Sequence, residues 1–137
     1  MGLVLAFGLV YIFFISPSNG GASGSDLLYA QIRETNQKYV VAVNELNVLR
    51  NNSRLSSSED LCANVSLYES LNLKTLEVLN LAQSKNQKVS EYIEKYPESA
   101  QDKRIQNWFT DDSGIAQTAN LSMSGLAEVK EICGVSA

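Results

Sequence analysis

Histidine is absent from this chain. Its absence removes the usual near-neutral general base, the commonest metal ligand and the usual physiological pH switch. Ser–His and Cys–His nucleophile pairs cannot be assembled. A carboxylate metal site in a helical bundle lacks its Glu-x-x-His pairs, and haem attachment lacks C-x-x-C-H. Fifteen acidic residues remain, but nothing in their spacing singles out a catalytic pair, so neither an enzyme nor a cofactor carrier is expected. The run Asp111-Asp112-Ser113-Gly114 has neither the alternating oxygen ligands nor the distal glutamate of an EF-hand, and reads as a helix N-cap.

Positive charge is also scarce. Eleven Lys and Arg stand against fifteen Asp and Glu, for a net charge of −4, and no basic run occurs. That is a poor electrostatic footprint for nucleic acid, which is not expected as a partner. Only two prolines occur, Pro17 and Pro97, and each falls where a helical pattern stops. The two cysteines, Cys62 and Cys133, lie far apart behind an apolar N-terminus, a placement that reads as one disulfide rather than a redox or zinc site.

What the opening lacks in charge it has in apolar residues. Met1 to Ser16 carries no charged side chain, and the first Lys or Arg is Arg33. A secretory signal has a basic region ahead of its apolar core, and none is present here. As a helix the run spans ~24 Å, short of the ~30 Å hydrocarbon core. Retention as a membrane or filament-core helix is the expectation. Cleavage at the small-residue pattern Ala22-Ser23-Gly24 is the alternative. Gly2, Ala6 and Gly8 allow close approach of a second helix, so self-association or protein partners are expected there. In outline the segment resembles the N-terminal helix of type IV pilin-like subunits. It departs from bacterial pilins in lacking their glutamate near the mature start, and the resemblance stops at this helix. Ser18 to Ser25 is rich in Gly, Ser and Asn and reads as a flexible tether.

From Asp26 the apolar period becomes helical. Leu28, Ile32, Thr35, Tyr39, Ala42, Leu46 and Leu49 step by four and three, predicting a first helix capped by Ser25 or Asp26 and ending near Asn51-Asn52-Ser53. Ser56 with Glu59 forms a capping box for a second helix. Its stripe is Leu61, Val65, Tyr68, Asn72, Thr75, Leu79, Ala82, Asn86, Val89, Ile93 and Tyr96, with loose packing or a kink expected near Ser84-Lys85-Asn86. A short helix capped by Ser99 runs to Trp108-Phe109. Asp111, Asp112 or Ser113 then caps a last helix along Ile115, Ala119, Ser122, Leu126, Val129 and Cys133, closed by Gly134. If the three long helices run up, down and up, Cys62 and Cys133 meet at one end.

The expected architecture is all-α: an apolar N-terminal helix at 1–16, a linker at 17–25, and an extracytoplasmic antiparallel bundle of three to four helices at 26–137. Asn51, Asn64 and Asn120 each open an Asn-x-Ser glycosylation acceptor, with Asn51, in the expected turn, the best placed. Trp108 and Phe109 are candidate partner-binding residues, with packing over the bundle end as the alternative. Tyr92 and Tyr96, one turn apart, read as bundle packing first and a ligand shelf second. The expected role is a structural subunit of a cell-surface filament or membrane-protein assembly. A ligand-sensing or receptor ectodomain and a secreted soluble bundle are the alternatives.

Overall fold

The computed structural model describes residues 27–55 and 61–135, and every regular element among them is helical. Helix α1 is Leu27–Leu55, α2 is Val65–Lys95, α3 is Lys103–Trp108 and α4 is Asp112–Ile132. Short 3-10 turns at Leu61–Asn64 and Pro97–Gln101 flank α2. The expected N-terminal helix and linker, with Gly2, Ala6 and Gly8, lie outside the described residues. So do the Ser25 or Asp26 cap and the Ser56–Glu59 capping box.

The three long helices alternate in direction. Lys74 meets Glu45 while Lys85 meets Asn36, so α1 and α2 are antiparallel. Lys130 meets Glu69 while Thr110 meets Asn86, so α4 reverses again. Helix α2 is the middle element, packing on both α1 and α4.

On α1 the predicted stripe is the inward face: Ile32, Thr35, Ala42 and Leu46 are buried and none of the others is exposed. The helix continues to Leu55 instead of stopping near Asn51, with the Ser53 hydroxyl donating back to the Arg50 carbonyl at 2.7 Å. On α2 the buried line is Thr75, Val78, Ala82, Lys85, Val89 and Tyr92. It shares Thr75, Ala82 and Val89 with the predicted stripe but takes Val78, Lys85 and Tyr92 where Leu79, Asn86 and Ile93 were expected. The cause is the second neighbour: a helix sandwiched between two others buries a face wider than one heptad seam. Where loose packing or a kink was expected, at Ser84-Lys85-Asn86, α2 is assigned as continuous α-helix and Lys85 is buried.

Two apolar clusters fill the interior. One joins Tyr29, Ile32, Val89, Tyr92 and Ile105 at the end where α1 begins. The other joins Ala42, Leu46 and Val78 further along, with Ile115 of α4 packed against it. Thr35 and Thr75 are buried but donate to the Gln31 and Leu71 carbonyls one turn back, at 2.8 and 2.7 Å, so neither leaves a polar group unmet.

The helix ends follow local chemistry. Asp102, rather than Ser99, caps α3 by accepting from the Arg104 amide at 2.8 Å. Ser99 lies in the preceding 3-10 turn and donates to the Tyr96 carbonyl. Asp111 caps α4 through the Ser113 amide. Gly134 ends it at φ 66°, with the Val135 amide reaching the Lys130 carbonyl in a Schellman arrangement.

Candidate functional site

The end of the bundle where α1 begins gathers most of its aromatic side chains. Pro97 cannot continue α2, so the chain turns there and brings α3 across the bundle end. Tyr29 of α1 lies 5.7 Å from the ring of Tyr92 and 5.1 Å from that of Trp108, and Tyr92 lies 4.9 Å from Tyr96, all in tilted arrangements. A cavity of about 330 Å³ opens among Tyr29, Tyr92, Tyr96, Glu98, Ser99, Asp102 and Ile105.

The charges around this cavity are uneven. Asp102 and Arg104 pair at 3.1 Å, which holds the Asp102 carboxyl below the usual carboxylate range and raises Arg104. Glu98 has no ion-pair or hydrogen-bond partner among the described residues and is exposed. Tyr29 and Tyr92 are buried, and neither phenol hydroxyl is among the buried polar atoms left without a partner. Lys95 Nζ sits 5.3 Å from the centroid of the Tyr96 ring.

A second concavity, about 620 Å³, lies along α1 and α2 among Lys38, Leu73, Leu76, Glu77, Asn80, Leu81 and Ser84. Leu73 is 66% exposed at its rim, with Val41 and Val48 of α1 also open to solvent. Its lining joins three leucines of α2 to four polar residues.

Between the two core clusters lies a polar node. Lys85 is only 2% exposed, and its ammonium donates to Thr110 Oγ1 at 2.7 Å and Asn36 Oδ1 at 3.2 Å while lying 4.0 Å from the centroid of the Tyr39 ring. No carboxylate pairs with it among the described residues, and burial lowers its pKa to about 8. The next residue, Asn86, grips the backbone of Thr110 twice: its amide donates to the carbonyl at 2.6 Å and its oxygen accepts from the N–H at 2.9 Å. Together they fix the start of α4 against α2.

Cys62 and Cys133 are joined at disulfide distance, with Cα atoms 5.5 Å apart, at the far end of the bundle. Asn51 is exposed on the last turns of α1 instead of in the inter-helix turn, Asn64 is half-buried at the start of α2, and Asn120 is exposed on α4. Trp108 is half-buried against the first core cluster, whereas Phe109 is 43% exposed. Sequence reasoning singled out Tyr92 and Tyr96 but not Tyr29, Glu98 or Lys85. Tyr29 sits beside the predicted Leu28 position, whereas Lys85 lies one residue off the predicted stripe, which placed Asn86 there.

Among the described residues no helix is long and apolar enough to cross a membrane. No protein-family model, curated protein or solved structure matches the chain.

Proposed function

We propose that this chain is a non-enzymatic structural subunit of a cell-surface filament or membrane-protein assembly, held through its N-terminal apolar segment with the helical bundle outside the cytoplasm. One observation carries the reading: the uncharged run from Met1 to Ser16, followed by a Gly/Ser-rich tether and then a bundle whose two cysteines pair. An apolar helix without charged flanks is best accommodated when lipid and other protein cover it. The Cys62–Cys133 pair favours an oxidising compartment. The leucines of α2 at the second concavity, with Leu73 exposed, offer a contact face of the kind an assembly uses.

The test is the intact mass of the native protein, before and after deglycosylation, combined with extraction behaviour. Retention of Met1 to Ser16 and release only by detergent are the expected result. A native chain beginning near Gly21 or Ser25 that is recovered without detergent overturns the proposal and leaves a secreted bundle.

A further inference from the structure

We infer that the cavity at the α1 N-terminal end binds an organic ammonium cation of the trimethylammonium class. Its lining combines the two features such a ligand needs. Tyr29, Tyr92 and Tyr96 contribute electron-rich rings from two helices, and ring faces attract cations through their quadrupoles. Glu98 brings a carboxylate with no partner among the described residues, while the Asp102–Arg104 pair cancels its own charge.

A volume of about 330 Å³ falls in the range of small-molecule sites. Tyr29 and Tyr92 line the cavity as members of the first core cluster, so packing fixes their rings in place. The inference does not depend on how the chain is held, because every lining residue belongs to the bundle. Under the reading above, this is also the end nearest the anchor, so free quaternary ammonium ions and the choline headgroups of a bilayer are both within reach.

The test is a titration of the full chain with choline and with tetramethylammonium, followed by the ring resonances of Tyr29, Tyr92 and Tyr96. The uncharged carbon isostere of choline, dimethylbutanol, is the control. Saturable shifts with the two cations and none with the isostere are expected. Tyr96→Leu should weaken choline binding about fivefold and Glu98→Gln about threefold, while Tyr68→Leu at the other end leaves it unchanged. Should Tyr96→Leu fail to fold, Glu98→Gln carries the test alone. Competition by phosphatidylcholine vesicles but not phosphatidylglycerol vesicles identifies a lipid headgroup as the source; soluble cations without vesicle competition identify a free quaternary ammonium ion. Equal binding of the isostere, choline binding that ignores both variants, or no saturable shift with any cation overturns the inference.

Discussion

Lys85 brings an ammonium into the core among neutral partners: an amide oxygen of Asn36, the hydroxyl of Thr110 and the face of Tyr39. Burial lowers its pKa from 10.5 to about 8, so between those values the unfolded chain holds a proton that the folded chain has released. Stability is therefore expected to rise with pH across that window, by about 2–3 kcal/mol. Lys85→Met should flatten the rise, and urea melts at intervals from pH 7 upward would measure it; an unchanged slope in the variant would assign the effect elsewhere. Asn86→Ala strips partners from both the N–H and the carbonyl of Thr110 and should cost about 2 kcal/mol in the same assay. Asn72 is the opposite case, since its Oδ1 is buried without a hydrogen-bond partner. Asn72→Leu should be neutral or stabilising by up to about 1 kcal/mol, and a marked loss would show that the amide is needed.

At the scale of elements, legibility depended on how many neighbours a helix has. Helix α1 packs chiefly on α2, so a single seam of fours and threes names its inward residues. Helix α2 lies between α1 and α4, and the same seam finds only every second member of its buried line. Lys85 went unnoticed for a related reason, because its hydrogen-bonding partners come from α1 and from the segment before α4, which no local pattern announces. The cavity was half legible. Tyr92 and Tyr96 are neighbours in sequence, but Tyr29 joins them only through the antiparallel pairing of α1 and α2. The cysteine pair was legible because alternating helix directions put both residues at one end. The disulfide spans 71 positions, and Cys62→Ser with Cys133→Ser should lower stability by about 4 kcal/mol in denaturant titration. A loss under about 1 kcal/mol would mean that the unfolded chain stays compact without the bond.

For the whole molecule, the sequence read correctly as all-helical among the described residues, with three long helices and a short fourth. The number of helices was left open by periodicity because α3 is only 6 residues long, too short for a seam to register. How the bundle closes was equally illegible: it depends on the 3-10 turn after Pro97 and on the double grip of Asn86 on Thr110.

The covalent ring drawn by Cys62 and Cys133 encloses α2, α3 and α4 but leaves α1 outside. A pull between Leu27 and the C-terminus would travel along α1, reach Cys62 and cross directly to Cys133. The three enclosed helices would feel no tension along their backbones. In a force spectrometer the oxidised protein should therefore lengthen by the segment before Cys62 alone, and the hidden remainder should pay out only after reductant is added. A chain built this way gives at its first helix under strain and keeps the rest of its shape.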